Sequence, residues 1–418
     1  MLRRSHNQIA VGGVLVLGLL GGLQGWIAAR RPVLSELRTS LEFVVTSSKD
    51  HGPGSLREAI FAADTASERA RIVFRVPLVE LSTPLPALAN PAGIVLEGPK
   101  EGVELRVLGM LSGPLLEVNS SNTVLRQIRI VNASEQSILV RSSGFRLEDV
   151  KISGSDVGLE AVQGARDLIV ERSEFDGNRI GIRLQPQIPG VVLENNQFHG
   201  HKDAGLWVVG SGAEFESSRS LAVKANTFKG NRYGAVIGNA SAVIENNEFL
   251  SSVEAAVLLI GQGAKVQGNR IRGGKGIGVF ADRSQGTVIE NNELDHNQTI
   301  GVLVRYSRDA VVRNNRVYAN GYGIAFVLGE VRSPSTATEN SLLNQTFDGI
   351  ILIGDSPVLR RNQVVGNRQA GLRILGFSPR TGAQVPSDPY LDNNALRGNE
   401  FDHPVRGEYR IERAGEAK

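Results

Sequence analysis

A Gly-led unit recurring mostly every 22 to 24 residues, a period-two alternation of aliphatic residues inside it, and an Asn at one point of each unit predict an all-β fold. The expected architecture is a single-stranded right-handed parallel β-helix, a solenoid in which each coil buries its apolar face only by stacking on its neighbours. The leading Gly falls at 158, 181, 205, 234, 278, 301, 323, 349 and 371, with Ala256 in its place once. Two adjacent copies, GVFADRSQGTVIENNELDHNQTI from Gly278 and GVLVRYSRDAVVRNNRVYANGY from Gly301, show the pattern. Strands, not helices, have a period of two, and Val, Ile and Leu suit a pleated surface. A leucine-rich repeat would need a fixed Leu ladder and a helical segment, and neither is present. Three short strands per turn remain, with coils stacked about 4.8 Å apart.

Asn196, Asn226, Asn247, Asn269, Asn292, Asn315, Asn340, Asn362 and Asn394 share one position in successive units. Asn tolerates left-handed backbone and hydrogen-bonds locally, so it suits a tight turn between strands. Stacked copies can also bond one another as a ladder. These residues are read as architecture, not as ligands.

In chain order, residues 1–31 read as a signal anchor or transmembrane segment. Arg3 and Arg4 precede an apolar run over 9–29 that is long enough to span a hydrocarbon core. Its end, Trp26-Ile27-Ala28-Ala29, is a poor cleavage site, which favours an uncleaved anchor over a cleaved signal. An exported protein, periplasmic or extracellular and held to a membrane by residues 9–29, is expected. A linker over 32–42 leads to a capping segment over 43–71. There Ser55 and Glu58 form a capping box, and Leu56, Ala59, Ile60 and Ala63 make one helical face that covers the open first coil. The β-helix is expected over 72–402, with degenerate repeats up to Val157, where Ile128, Val150 and Ser173 hold the Asn position. Pro77 to Pro91 reads as a loop, and 403–418 as a polar tail.

Removing the four arginines of residues 1–31 leaves 42 basic against 43 acidic residues, so no basic domain exists and nucleic acid is not an expected partner. Cys is absent, which excludes disulfides and thiolate metal sites, and the only methionines are Met1 and Met110. No metal or other cofactor is indicated; Ca2+ stays open without a motif that calls for it.

Chemistry is expected where the repeat is broken. The leading Gly and its Asn are 13 to 15 residues apart in ordinary coils, but 21 from Gly205, 17 from Gly323 and 23 from Gly371. All three insertions (Gly210–Ser220, Gly329–Ala337, Gly376–Tyr390) follow the Gly-led strand, so they wall one side of the solenoid, the usual binding side. The floor would be the outward row Trp207, Val236, Leu258, Phe280, Leu303, Ala325 and Ile351. An exposed apolar row of that length either is covered by an insertion or binds something. A sugar's C–H face packs well on Trp207 or Phe280. Asp282 and Arg305, on adjacent coils, are either a structural ion pair or a site in which Arg305 takes a sugar carboxylate and Asp282 orients a catalytic group. Arg183, Arg283 and Tyr306 complete the candidate substrate-binding set. His199, His201 and Asp203 in FHGHKDAG are counted with the substrate-binding candidates, and are otherwise either solvated turn residues or a metal or acid–base cluster.

Two segments carry a family resemblance. Ser55-Leu56-Arg57-Glu58-Ala59 resembles the segment that opens many exported bacterial β-helix proteins. Residues 120–400 resemble the carbohydrate-binding/sugar-hydrolysis class of pectin-lyase-like β-helices, which includes periplasmic alginate C5-epimerases and the copper-maturation β-helix proteins of nitrous oxide reductase. Residues 278–284, GVFADRS, are similar to the epimerases' Gly-Ile-Asp-Pro-His-Asp-Arg-Ser motif at Asp282, Arg283 and Ser284, but are one residue shorter and lack its histidine. His296 would have to substitute for that histidine. The resemblance implies a protein that binds an anionic polysaccharide and processes it by lyase or epimerase chemistry at Asp282, Arg305 and His296. The rivals are a structural or adhesion solenoid with a protein partner, and an assembly factor for a periplasmic enzyme.

Overall fold

The computed structural model describes residues 40–210, 221–329, 334–376 and 387–406. The apolar run 9–29, residues 211–220, 330–333 and 377–386 of the insertions and the tail beyond 406 lie outside them. No helix among the described residues is long and apolar enough to cross a membrane.

From Leu41 onward the chain winds as a parallel β-helix. One coil consists of Val288–Glu290, Glu293–Asp295 and Ile300–Arg305, and these strands define the first, second and third faces. Each pairs in parallel with its equivalent one turn later: Val288 with Val311, Glu293 with Arg316, and Ile300 with Tyr322. The first face is a sheet of 15 strands from Leu41–Val45 to Tyr390–Asp392. The helix Leu56–Asp64 closes the first coil, with Leu56, Ala59, Ile60 and Ala63 buried. The Ser55 side chain accepts from the Glu58 N–H, and Glu58 accepts in return from the Gly54 N–H, one residue before the expected partner. Three other boundaries differ from expectation: the β-helix begins at Leu41–Val45, which pairs with Ala70–Phe74, not at residue 72. Leu78–Leu81, inside the Pro-rich stretch, is a strand paired with Val103–Val107, and Val405–Arg406 adds a last strand beyond residue 402.

The interior is built from columns. Phe175, Phe198, Phe228 and Phe249 stack with ring centroids 5.2, 4.6 and 4.7 Å apart, and aliphatic residues continue the column as Ile271, Leu294 and Val317. Each ring contact contributes about 0.5–1.5 kcal/mol beyond its area. The leading Gly is set against this column from the third face. A Cβ on Gly278 would lie 2.4 Å from the Gly301 carbonyl oxygen and 2.9 Å from the Leu294 side chain.

The Asn positions form a continuous buried ladder. The Asn269 N–H and Nδ2 both donate to Asn292 Oδ1, at 2.9 and 3.0 Å, and Asn292 repeats this toward Asn315. The left-handed backbone falls on the residue before each of them, at Asn195, Asn246, Asn291 and Asn314, so the turn and the ladder are separate tasks of an Asn-Asn doublet.

Candidate functional site

Trp207, Val236, Leu258, Phe280, Leu303, Ala325 and Ile351 do form one row across the third face, in register coil after coil. Arg183 precedes Trp207 in it and Arg373 follows Ile351. The row is not an exposed stripe. Val236, Leu303, Ala325 and Ile351 are at most 7% exposed, and Leu303, Ala325, Ile351 and Leu375 form a small second core with Phe280 and Tyr322 packed against it. Trp207, Leu258 and Phe280 keep partial access to solvent.

One polar cluster lies along this row. Arg305 Nε donates to Asp282 Oδ1 at 2.8 Å, and Arg283 Nη2 donates to Oδ2 at 3.0 Å. The Arg305 guanidinium lies over the Phe280 ring at 4.7 Å from its centroid, with the Tyr306 ring at 5.7 Å. Two guanidinium groups against one carboxylate leave a net positive charge beside two aromatic rings. The hydrogen bond to Asp282 holds the Arg305 guanidinium above its usual range. Arg283 and Tyr306 both have left-handed backbone, φ 48° and 50°, which turns their side chains outward at the corner.

His296 is not part of that cluster. It sits at the corner before Ile300, and at about 3.3 Å per residue the strand from Ile300 to Arg305 alone spans roughly 16 Å. Its own surroundings are distinctive. His296 Nδ1 is 2.8 Å from Asp295 Oδ2, and Arg272 reaches the same oxygen at 3.2 Å. Asp295 is 1% exposed while the His296 ring is 65% exposed, so the imidazole is held from beneath with Nε2 toward solvent. His296 has φ 55° at a position where the neighbouring coils carry Gly230, Ser251, Gly273, Ala319, Asn344 and Gly366. The Tyr318 ring meets His296 edge-on at 6.1 Å and donates its hydroxyl to Glu293. Burial first, and then Glu293, raises the Tyr318 phenol.

FHGHKDAG does not converge on one site. His199 points out from the second face beside Gln197. Asp203 pairs with Arg179 at 2.6 Å, and Arg179 also holds Asp156 on the preceding coil, lowering that carboxyl chiefly through its hydrogen bond. His201 is 2% exposed, so the expected substrate contact is replaced by a structural one. Its backbone N–H donates to Asn231 Oδ1, and its Nδ1 lies 3.3 Å from the Asn178 carbonyl oxygen. Burial pushes its imidazole down to about 4. This belongs to a second ladder at the corner between the second and third faces, which continues through Asn297, Asn320, Gln345 and Asn367. Among the described residues no group of three or more His, Asp or Glu side chains is placed to hold a metal ion.

Two buried acids were not singled out in the sequence. Asp348, fully buried, takes both Arg373 Nε at 2.7 Å and Nη2 at 2.9 Å. Asp355 has a carboxyl pushed up to about 6 by burial and occupies space that a side chain on Gly329 would fill.

No curated protein matches the sequence. Among solved structures, the bacteriophage CBA120 tailspike protein 3 is 12% identical with a TM-score of 0.52, covering 94% of this chain and 69% of that one. The A-module of the Azotobacter vinelandii mannuronan C-5 epimerase AlgE6 is 12% identical with a TM-score of 0.47, covering 88% of this chain and 100% of the module. The Dettilon tailspike protein is 10% identical with a TM-score of 0.47, and the chain spans 64% of its length. At these identities the likeness is one of fold. The family model described as the right handed beta helix region matches residues 110–220 and 211–368, and this chain belongs to that family.

Proposed function

We propose that this protein binds an anionic polysaccharide along the third face and is exported to do so, with residues 9–29 as its membrane anchor. The observation that supports the reading is the cluster at Phe280, Asp282, Arg283, Arg305 and Tyr306. Flat aromatic and guanidinium surfaces there accompany one uncompensated positive charge, which suits a sugar ring that carries a carboxylate. Trp207 lies three coils along the same row, roughly 14 Å away, which suits a chain of several sugars better than a single one. A glycan-array screen of the full chain tests this. Uronate-containing glycans should be retained and neutral glycans should not; no binding to any acidic glycan would leave the protein-partner reading in its place.

Processing of the polysaccharide is a second reading, favoured by His296. A buried Asp295 fixing Nδ1 leaves Nε2 outward as a proton acceptor, the arrangement of a general base. Lyase chemistry would yield an unsaturated sugar with new ultraviolet absorbance, and epimerase chemistry would incorporate solvent deuterium at C5. A panel of uronate polymers giving neither signal would leave binding alone.

A further inference from the structure

Among the described residues, the third face offers no charge along the lane from Trp207 to Phe280. Two outward rows run there side by side. One holds Trp207, Leu258 and Phe280, with Val236 buried between them; two residues further along each strand come Val209, Gly238 and Ile260, and then Asp282. Val209 is 39% exposed, and Trp207, Leu258, Ile260 and Phe280 keep partial access to solvent. Val208, Ile237, Leu259 and Ala281, which alternate with them, belong to the core. Charge returns only around the lane. Arg183, the member of the row before Trp207, lies 3.4 Å from Glu160 and is neutralised by it. At the corner where the strands begin, Arg232 pairs with Asp203 and Glu254 at 4.0 and 3.7 Å, and Lys275 stands five residues before Phe280. Where the strands end, Asn239 and Gln262 carry no charge, and positive charge in excess of its acid is met at Arg283 and Arg305 around Asp282.

We infer that the polysaccharide proposed for this face is sparsely acidic. One carboxylate is seated at Arg283 and Arg305, and about three sugars without one follow toward Trp207, turning C–H or methyl groups to the wall. This rests on the polysaccharide reading and narrows it. An extended sugar residue is about as long as one coil is high, so a carboxylate on every sugar would set roughly three of them over Phe280, Leu258, Ile260 and Trp207. Each would lose water on the protein side and gain no donor there. An ester methyl, a deoxy carbon or an acyl group in the same place instead buries apolar area. The lane therefore selects by rejecting closely spaced acids as much as the Arg283–Arg305 cluster selects by attracting one.

Graded methyl esters of polygalacturonate and polymannuronate octasaccharides test this, because the ester removes the charge and leaves the backbone as it was. Affinity for the full chain in mild detergent, measured by calorimetry, should rise with esterification to a maximum near one free acid in about four sugars. The maximum should stand about threefold or more above the unesterified octasaccharide, and the full ester should bind more weakly again. Val209→Lys places a cation in the lane at an exposed position. It should move the maximum toward more free acids and strengthen binding of the unesterified octasaccharide about twofold or more. Affinity that declines steadily from the first ester overturns the inference and leaves a densely anionic polysaccharide as the ligand. A maximum that a folded Val209→Lys protein does not shift overturns it too. No binding at any grade removes the polysaccharide reading itself, and this inference with it.

Discussion

Arg305 lies over the Phe280 ring on the preceding coil, 4.7 Å from its centroid, and is tied to that coil by Asp282. Ring and guanidinium thus make one surface held by a buried carboxylate. Arg305→Lys keeps the charge and loses the plane, and Arg305→Ala loses both. Glycan affinity should fall about three- to tenfold for Lys and more than tenfold for Ala, measured by calorimetry. A thermal melt run in parallel separates this from the stability lost by leaving Asp282 with Arg283 alone, about 1–2 kcal/mol after allowing for solvent at Arg305. Equal affinity of all three proteins would remove Arg305 from the site.

The Asn ladder should be among the costliest places to cut. In Asn292→Ala, the Asn269 N–H and side-chain amide lose their acceptor, while the Val266 carbonyl and Asn315 lose a donor. Buried groups left unpaired cost about 1–3 kcal/mol each, so a net loss of about 3–5 kcal/mol is expected from urea unfolding. A loss below about 1 kcal/mol would mean the ladder is ornamental.

His201 makes stability depend on pH. Its folded imidazole titrates near 4 against 6.5 when exposed, so between these values the unfolded chain binds the extra proton. Stability from this residue is intact above pH 6.5 and falls as the pH drops toward 4, by on the order of 3 kcal/mol in all. His201→Asn places the ladder's usual residue there, so the variant's advantage over the parent should grow from pH 7 to pH 4. A constant difference across that range would contradict the buried neutral imidazole.

Two glycines separate packing from backbone strain. Gly278→Ala drives a methyl group into the Gly301 carbonyl oxygen, whereas Gly286 has φ 65° with nothing within 4 Å of a new Cβ. The first change should cost about 3 kcal/mol or more and the second about 1–2 kcal/mol, read from denaturant midpoints. The reverse order would mean the third-face stacking is looser than described.

The repeat makes most of this architecture legible, because counting from the leading Gly already sets Trp207, Phe280 and Arg305 on one wall. What counting cannot supply is depth. Val236 and Ala325 occupy outward positions by period yet are buried, since the alternation says which way a side chain points and not what lies over it. The second ladder is hard to see in the sequence because its residues differ in type (Asn178, His201, Asn231, Asn297, Gln345) and because Ser252, at the same position, makes no side-chain hydrogen bond. A signal is nevertheless present: each lies five residues after a first-ladder position, as Asn178 follows Ser173, His201 follows Asn196 and Gln345 follows Asn340. That offset marks His201 as structural. His296 and Asp282 look like one site in the sequence because both stand near coil corners, but the third-face strand is the longest of the coil and separates those corners.

The most direct measurement is retention of the full chain on an immobilised polyuronate gel, compared with Trp207→Ala/Phe280→Ala, both proteins first shown to be folded by circular dichroism. The parent should be retained and released by salt, and the double variant should elute with the void. Undiminished retention of the folded double variant would contradict a polysaccharide surface on the third face.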